Sequence, residues 1–392
     1  MNKVLSPTIE KLRRSLELGN TEAGVHSFWR HVEAVGSPLI EPHPEDGALK
    51  FVTFVWRSAE KGQDVAVYGE FPGFDSVRNR LEQLAGTDIY YRTFVAPLDI
   101  WSLYVLRLPG EHGTDSPRYA VDPLNPVIYT SPLDDDGSCP LLAPLESVLV
   151  MPGVVGKPWE PLASAGGAVW KHRLGSRVLG NERRIWVYTP PGYPDDRAYP
   201  LLLLTDGWEY LHLAQIPQRL DEAMETIGPM VAVMVESLSY KQRELELTCY
   251  RPFGEFIVEE LLPWIQKHYS VGSDPAECTI AGASYGGLAA LWLGLEYPHV
   301  FSNVVSQSGA FYWDNDELIE VVRGMDSVPL NVQLEVGCLE PDVLVSASVR
   351  MYDALKGKTH SLGFRRTTGG HHYGYWGETL MVALSRIESL SK

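Results

Sequence analysis

The pattern of apolar and polar residues divides the chain into two regions. From about residue 27 to 130, short runs of β-branched and aromatic residues are separated by turn-forming clusters rich in Gly, Pro and Asp. These runs predict strands over Phe51–Trp56, Val65–Tyr68, Tyr90–Phe94 and Leu103–Leu108. Several short strands with turns between them are typical of an antiparallel sandwich, so we expect an all-β N-terminal domain.

From about residue 169 onward, apolar strands alternate with segments of helical periodicity. The predicted strands are Arg184–Tyr188, Leu201–Leu204, Met230–Val235, Cys278–Ala281, Val300–Gln307 and Leu330–Val336. The predicted helices are Ile216–Ile227, Phe253–His268 and Gly286–Glu296, and Pro263 is expected to kink or divide the second of them. This alternation favours an α/β fold with a mostly parallel, doubly wound sheet that carries helices on both faces.

A stretch rich in Pro and Gly, from about residue 139 to 168, separates the two regions. We therefore predict an N-terminal β-sandwich domain over residues 1–150, a linker over 151–168 and a catalytic domain over 169–392. The first 19 residues interrupt their apolar positions with charged ones, which indicates an amphipathic helix and not a signal peptide.

Composition and charge exclude several classes of function. The 392 residues are 45% apolar and 21% charged, as in folded globular proteins. With 33 Lys and Arg against 50 Asp and Glu, the net charge of −17 disfavours nucleic acid and anionic membranes as partners. The four cysteines, at positions 139, 249, 278 and 338, form no metal or redox pair and suit a reducing compartment. No apolar run approaches the roughly 18–20 residues that span a bilayer, so we expect a soluble, cytoplasmic protein.

The candidate nucleophile is Ser284, in the sequence Gly282-Ala283-Ser284-Tyr285-Gly286. A G-x-S-x-G motif between a strand and a helix forms a sharp turn that exposes the serine hydroxyl above the sheet. A strand is predicted directly before this motif and a helix of small residues directly after it. A tight turn with a spectator serine is the alternative, and this context favours catalysis.

A nucleophilic serine needs a base and an acid that orients the base, and in this topology both follow it in the chain. His371 and His372 follow two glycines that allow a tight loop, and only one of two adjacent imidazoles is expected to reach Ser284. The acid is expected after the strand Leu330–Val336. Glu340 is favoured because it lies in the loop at the end of this strand, and Asp342 and Glu335 remain alternatives.

The developing oxyanion needs two backbone donors. One is expected to be the N–H of Tyr285, directly after the nucleophile, and the other the N–H of Gly207 or Trp208 in the loop after Leu201–Leu204. Asp206 precedes Ser284 in the chain and is expected to brace this loop.

Several segments together resemble the enterochelin (enterobactin) esterases. In the catalytic half these are Tyr188-Thr189-Pro190-Pro191-Gly192-Tyr193, Leu204-Thr205-Asp206-Gly207-Trp208, Gly282–Leu291, Ser306-Gln307-Ser308-Gly309 and Gly369-Gly370-His371. In the N-terminal half they are Gly86-Thr87-Asp88 and Asp122-Pro123-Leu124-Asn125-Pro126. The order and spacing of the segments carry the resemblance, which extends from about residue 27 to the end.

The resemblance implies a cytoplasmic serine esterase with an Ig-like N-terminal domain and an α/β-hydrolase domain. Such enzymes cleave the trilactone backbone of tris-catecholate siderophores, usually as ferric complexes, so that iron is released. The family's nucleophile falls on Ser284, its base on His371 and its acid on Glu340, and Arg243 corresponds to a substrate-binding residue. The family commonly has an acidic residue where this chain has His372. No metal or organic cofactor of the enzyme is implied, because the iron belongs to the substrate.

Ferric tris-catecholates are anionic, so the net charge of −17 would oppose their capture. We therefore expect cations near Ser284, with Arg243 and Arg251 as the first candidates and Arg78 and Arg80 of the N-terminal domain as the next. Trp208 and Trp376 are candidates for packing on catechol rings, with a position in the core as an equal alternative for Trp376. The N-terminal domain is expected to complete the substrate cleft.

Two other functions remain open on the sequence. One is a carbohydrate esterase, such as a feruloyl or acetyl esterase with an accessory sandwich module. The other is a ligand-binding protein with an inactive triad. The sequence leaves the preferred siderophore and the oligomeric state undetermined.

Overall fold

The computed structural model describes residues 6–60, 62–110, 116–138, 144–163, 165–194 and 197–389. Cys139 lies outside these residues. The chain divides into two units, Met1–Glu160 (unit 1) and Pro161–Lys392 (unit 2). The division falls inside the segment 151–168, where the sequence predicts a linker.

Unit 1 begins with two helices and continues with two antiparallel sheets. The helices are α1 (Pro7–Glu17) and α2 (Thr21–Val35). The strands are β1 (Leu39–Pro42), β2 (Leu49–Arg57), β3 (Ala66–Gly69), β4 (Glu82–Gln83), β5 (Ile89–Pro97), β6 (Trp101–Leu108), β7 (Arg118–Ala120), β8 (Ile128–Thr130) and β9 (Leu145–Val150). One sheet has the order β1-β2-β5-β4 and the other β3-β6-β9-β8, with β7 paired to β6.

The four strands predicted in this region are confirmed as β2, β3, β5 and β6. Aromatic side chains join the two sheets: Phe54 of β2 packs edge-to-face on Tyr104 of β6, with ring centres 4.9 Å apart. Both side chains are fully buried. The aromatic residues of this region thus form a core between the sheets.

The prediction of an all-β N-terminal domain is wrong, because α1 and α2 belong to unit 1. The amphipathic helix expected at the N-terminus is α1, but α2 was not predicted. Val25, Phe28, Trp29 and Val32 of α2 have the i, i+3, i+4, i+7 spacing of a helical face. Phe28, Trp29 and Val32 are buried in one cluster with residues of α1, β2 and β5. A helical signal was therefore present in the sequence.

Unit 2 is built on one eight-stranded sheet. Its strands are β10 (Ala168–Ser176), β11 (Asn181–Thr189), β12 (Leu201–Leu204), β13 (Val231–Val235), β14 (Cys278–Ala283), β15 (Asn303–Gln307), β16 (Val328–Gly337) and β17 (Thr359–Thr367). Their order is β10-β11-β13-β12-β14-β15-β16-β17. The pairs β10–β11 and β11–β13 are antiparallel, and every other pair of neighbours is parallel. The predicted mostly parallel sheet is confirmed.

The helices of unit 2 alternate with these strands. They are α3 (Gly207–His212), α4 (Ile216–Ile227), α5 (Tyr240–Glu246), α6 (Arg251–Glu255), α7 (Leu262–His268), α8 (Tyr285–Glu296), α9 (Trp313–Gly324), α10 (Asp342–Leu355) and α11 (Tyr373–Glu388). A π-helical segment, Phe256–Leu261, joins α6 to α7 just before Pro263. Pro263 has no N–H to donate within a helix, and it lies in the first turn of α7, directly after this π-helical segment.

The centre of the sheet is fully covered. Strands β12, β13, β14 and β15 consist only of buried residues, which explains the continuous apolar runs of β12 and β13. Helix α8 is also apolar nearly all round, and nine of its residues are buried. The loops at the carboxyl ends of β12, β14, β15 and β16 therefore stand on a rigid core, at the edge where parallel sheets hold their sites.

Among the described residues, no helix is both long enough and apolar enough to span a membrane.

Candidate active site

Ser284 stands at a strained turn between β14 and α8. Its backbone has φ 58° and ψ −120°, a conformation that L-residues seldom adopt. The turn is fixed on both sides: the Ser284 N–H donates to the Gln307 carbonyl at 2.9 Å, and its carbonyl accepts from the Ala310 N–H at 3.0 Å. A Cβ at Gly282 would stand 2.3 Å from the Gly286 carbonyl oxygen, so only glycine permits this turn. The predicted nucleophile therefore occupies the strained elbow that the motif requires.

His371 and Glu340 form a pair after β17 and β16, at the same edge of the sheet as the Ser284 turn. Nδ1 of His371 lies 3.0 Å from one Glu340 carboxylate oxygen, and the Glu340 side chain is fully buried. The other carboxylate oxygen accepts from the Ser308 hydroxyl and from the Gly337 N–H at 3.1 Å. The carboxylate is thus held in one orientation and can orient the imidazole, as a triad requires.

The loop that carries His371 is pressed against the end of β16. A Cβ at Gly337 would lie 2.2 Å from the Gly369 carbonyl oxygen, so this close approach needs glycine. The Trp376 ring packs edge-to-face on His371, with centres 4.7 Å apart, and its N–H donates to the Ser308 hydroxyl at 3.0 Å. Trp376 and Ser308 therefore hold both members of the His371–Glu340 pair.

The two other acid candidates lie in different surroundings. Asp342 is exposed and opens α10. Glu335 is buried, and its carboxylate accepts from Gln307, Arg365 and Thr379. Burial raises the pKa of Glu335. The structure pairs His371 with Glu340, as the sequence favoured.

The second histidine has a structural task. Nδ1 of His372 accepts the N–H of Gly374 at 3.0 Å and caps the N-terminus of α11. Burial, with a smaller effect of His371, lowers the pKa of His372 to about 4, so the imidazole is neutral and can accept. A carboxylate is a usual acceptor at this position of a helix. The neutral ring of His372 can therefore replace the acidic residue of the family pattern.

Asp206 braces the loop after β12, as the sequence predicted. It adopts a left-handed conformation, φ 52° and ψ 54°, directly before α3. Its fully buried carboxylate accepts from Arg243 at 2.7 and 2.8 Å, from Ser237 at 2.7 Å and from Tyr373 at 2.9 Å. Because Tyr373 lies two residues after His371, one carboxylate connects this loop to the loop of the base.

The three oxyanion donors stay predictions. Tyr285 is the first residue of α8, and Gly207 and Trp208 are the first two residues of α3. The N–H groups of a first helical turn have no acceptor within the helix, so they are available to a ligand. Their placement at the carboxyl ends of β14 and β12, which are neighbours in the sheet, suits the predicted role.

The cations expected near the nucleophile have partners of their own. Burial alone would lower the pKa of Arg243, but Asp206, with smaller effects of Tyr373 and Glu209, more than offsets burial and raises the pKa. The Arg243 guanidinium also donates to the Ala283 carbonyl at 3.3 Å, so it supports the nucleophile turn. Arg251 is 84% exposed and pairs with Glu255 at 3.2 Å. As substrate-binding residues, Arg243 and Arg251 remain predictions.

The two arginines proposed from the N-terminal domain lie in unit 1. Arg80 pairs with Asp64 at 3.0 Å, and the backbone N–H of Arg78 donates to Asp75. Their part in substrate capture also stays a prediction.

Neither predicted tryptophan offers a ring face to a ligand. Trp208 and Trp376 are each 4% exposed. Trp376 packs on His371, and Trp208 packs on His212 with ring centres 5.0 Å apart. The expectation that Trp208 stacks on catechols is therefore wrong, and of the two alternatives for Trp376 the structure has the core position.

Ser308 is the supporting residue that reasoning from the sequence missed. It lies in the segment Ser306–Gly309 of the resemblance, but no role was assigned to it there. Its role appears only when the ends of β15 and β16 are placed side by side. Among the described residues, no group of three or more His, Cys, Asp or Glu side chains is arranged to hold a metal ion.

Comparisons with known proteins agree with this geometry. The family model described as "Putative esterase" matches residues 176–387. The chain is 28% identical to the iron(III) enterobactin esterase of Dickeya dadantii, over 92% of each chain. It is 30% identical to the iron(III) enterobactin esterase of Escherichia coli O6:H1, over 68% of this chain and 67% of that one.

A solved structure extends the likeness to the fold. The enterobactin esterase of Shigella flexneri, crystallised in the presence of enterobactin, aligns with a TM-score of 0.70 at 23% identity. The alignment covers 93% of this chain and 98% of the other. A strained serine, a buried carboxylate–histidine pair and these relationships lead to one conclusion: the chain belongs to the putative esterase family and, within it, to the enterobactin esterases.

Proposed function

We propose that this esterase hydrolyses the trilactone backbone of a tris-catecholate siderophore and so releases its iron inside the cell. The observation that carries the proposal is the match to an iron(III) enterobactin esterase over 92% of both chains, which includes unit 1 as well as the catalytic unit. A carbohydrate esterase with an unrelated accessory module would share only the catalytic unit. The His371–Glu340 pair beside Ser284 argues against an inactive binding protein.

The first half of the reaction is acylation. The Ser284 hydroxyl oxygen attacks a lactone carbonyl while His371 accepts its proton. The N–H groups of Tyr285 and of Gly207 or Trp208 stabilise the oxyanion, and Glu340 stabilises the imidazolium. The ester C–O bond then breaks, and His371 returns the proton to the departing serine hydroxyl of the siderophore.

The second half is hydrolysis of the acyl-enzyme. His371 takes a proton from water, the hydroxide attacks the seryl ester, and Ser284 leaves with the proton that His371 returns. Each cycle consumes one water and opens one ester bond. The chemistry uses no metal or organic cofactor of the enzyme, and iron enters only as part of the substrate.

Mass spectrometry of products tests the proposal. The protein is incubated with ferric and with iron-free trilactone siderophore, and separately with feruloyl and acetyl sugars. We expect linear products from the trilactone, and a loss of several orders of magnitude in Ser284→Ala. Hydrolysis of the sugars alone would refute the proposal. Absence of a fluorophosphonate adduct on Ser284 in the folded protein would favour the inactive binding protein instead.

We infer further that the two sheets of unit 1 form an Ig-like sandwich. The contact of Phe54 with Tyr104 across the sheets and the buried faces of β2 and β6 support this inference. A cytoplasmic location is likewise proposed. It is supported by the sparse cysteines, of which Cys249 and Cys278 form no disulfide.

A further inference from the structure

Three tyrosines stand on three different elements that are attached to the nucleophile turn. Tyr285 directly follows Ser284 and opens α8. Tyr312 lies two residues after Ala310, whose N–H is bonded to the Ser284 carbonyl at 3.0 Å. The third, Tyr240, is the first residue of α5.

Helix α5 is attached firmly to the nucleophile turn. Arg243, three residues after Tyr240, lies 5.6 Å from the centre of the Tyr285 ring and donates to the Ala283 carbonyl at 3.3 Å. At the other end of α5, the Glu246 carboxylate forms a fully buried ion pair with Arg183 at 2.7 Å. Buried charges hold the short helix at its middle and at its C-terminal end, and the Ser239 hydroxyl caps its N-terminus, so the backbone of Tyr240 has little freedom.

The three tyrosine rings remain accessible. Tyr240 is 73% and Tyr312 36% exposed, and Tyr285 is half-buried. Burial raises the pKa of Tyr285, and the hydroxyls of Tyr312 and Tyr240 raise it further, so the three phenols lie within electrostatic range of one another. Large exposed aromatic side chains clustered at a site of chemistry are typical of a binding surface.

We propose that Tyr240, Tyr285 and Tyr312 form a binding site for one aryl ring of the acyl part of the substrate, beside Ser284. The site rests on the proposed function, since an N-aroylated serine ester places an aryl amide near the carbonyl that Ser284 attacks. The rings supply aromatic contact, and the hydroxyls can bond to the phenol and amide oxygens of the substrate. Trp208 and Trp376 are buried, so the tyrosines, and not these tryptophans, have ring surface that a substrate can contact.

This form of recognition suits an acidic protein. Contact between aromatic rings depends on contact area and quadrupole geometry and needs no net positive charge. Arg243, the cation beside the Tyr285 ring, already neutralises the buried Asp206. A ring-binding site can therefore hold an aryl arm despite a net charge of −17.

Two matched substrates isolate the contribution of the ring. One is the ethyl ester of N-(2,3-dihydroxybenzoyl)glycine, and the other is the ethyl ester of N-acetylglycine, which has the same leaving group and no ring. We expect the wild-type enzyme to prefer the aryl ester in kcat/KM. Tyr240→Ala and Tyr312→Ala should each lower the ratio of the two kcat/KM values by about three- to tenfold, the usual effect of one aromatic contact.

Variants of the same helices provide the controls. Leu245→Ala on α5 and Val321→Ala on α9 also shorten exposed side chains, 48% and 52% exposed, and should leave the ratio unchanged. Tyr240→Phe keeps the ring and should keep most of the preference. An equal preference of the wild-type for both esters, or tyrosine variants with an unchanged ratio, would overturn the tyrosine site.

The trilactone assay separates this outcome from a failure of the function. Wild-type enzyme that opens the trilactone but shows no aryl preference would overturn only the tyrosine site. Enzyme that does not open the trilactone would overturn the proposed function and, with it, the proposed substrate of the site.

Discussion

Asp206 shows what a single buried charge does in this site. Its fully buried carboxylate accepts hydrogen bonds from Arg243, Ser237 and Tyr373. Burial, with a smaller effect of Asp206, raises the pKa of the neighbouring Glu209 to about 7. The two carboxylates repel each other, and the Arg243 guanidinium is paired with Asp206 at 2.7 Å. The loop after β12, the helix α5 and the loop of the base are therefore held together by one carboxylate.

Replacing this carboxylate should be costly. Asp206→Asn leaves Arg243 buried without its counter-ion, and breaking such a pair from one side typically costs about 3–5 kcal/mol. Urea unfolding measures the change. Glu255→Gln, which breaks the exposed pair with Arg251, is the control and should cost about 0–1 kcal/mol. An equal loss in the free energy of unfolding for the two variants would show that the buried Asp206 pair stabilises the fold no more than an exposed pair does.

The assignment of the triad acid can be tested at the same scale. Glu340→Gln keeps the size of the side chain but removes the charge that orients His371 and stabilises its protonated form. We expect kcat to fall by about 10⁴-fold, as in the serine protease triad. Asp342→Asn should retain nearly full kcat. A large loss in Asp342→Asn and a small one in Glu340→Gln would reverse the assignment.

At the scale of elements, the N-terminus of α11 connects stability to pH. The His372 ring accepts a hydrogen bond as the helix cap and must stay neutral to do so. Its pKa of about 4 in the folded protein lies below the ordinary value of 6.5. Between these values the unfolded chain binds the proton more readily, so the contribution of His372 to stability is lost as the pH falls from about 6.5 to about 4.

His372→Asn should remove this dependence, because an asparagine can cap a helix without titrating. As the pH falls through this range, the free energy of unfolding should decrease more steeply for wild type than for the variant. The difference in slope corresponds to the binding of one proton by the unfolded wild-type chain. Urea midpoints at several pH values measure the slope. His26→Asn, which changes a histidine with no resolved role, is the control and should keep the wild-type slope. Parallel curves for wild type and His372→Asn would contradict the capping role.

At the scale of the whole molecule, unit 1 carries a buried carboxyl group of its own. Glu70 is 9% exposed and accepts the Leu103 N–H at 2.8 Å. Burial, with a smaller effect of Glu146, raises the pKa of Glu70 to about 8. The folded protein therefore holds a proton that the unfolded chain releases above its ordinary pKa of 4.5. Stability from this group is full below that value and is lost as the pH rises through about 8.

Glu70→Gln should make unit 1 less sensitive to alkaline pH. The amide oxygen can still accept from Leu103, and no charge has to be buried. We expect the variant to gain stability relative to wild type at about pH 8 and little at about pH 5. Thermal unfolding at both pH values measures this difference. Glu45→Gln, at an exposed position, should show no such pH-dependent gain, and a gain of equal size there would refute the explanation.

Much of the site could be predicted from local sequence. The G-x-S-x-G motif requires only a strand, a turn and a helix that are contiguous in the chain, so Ser284 was recognisable from a few residues. The buried strands β12 and β13 can likewise be predicted, because each is a continuous apolar run. Helix α2 also has apolar residues at helical spacing. The β-rich segments that follow it nevertheless led to the prediction of an all-β domain.

The sequence by itself therefore determined the strand–helix alternation, the nucleophile and the short set of candidates for base and acid. Only the tertiary structure decided among residues far apart in the chain. In the tertiary structure His371 pairs with Glu340, and His372 caps a helix. Trp208 and Trp376 are buried, and Arg243 forms an ion pair with Asp206. The physical reason is that periodicity and turn chemistry act over a few residues, whereas the burial and charge of a side chain depend on every element that packs around it.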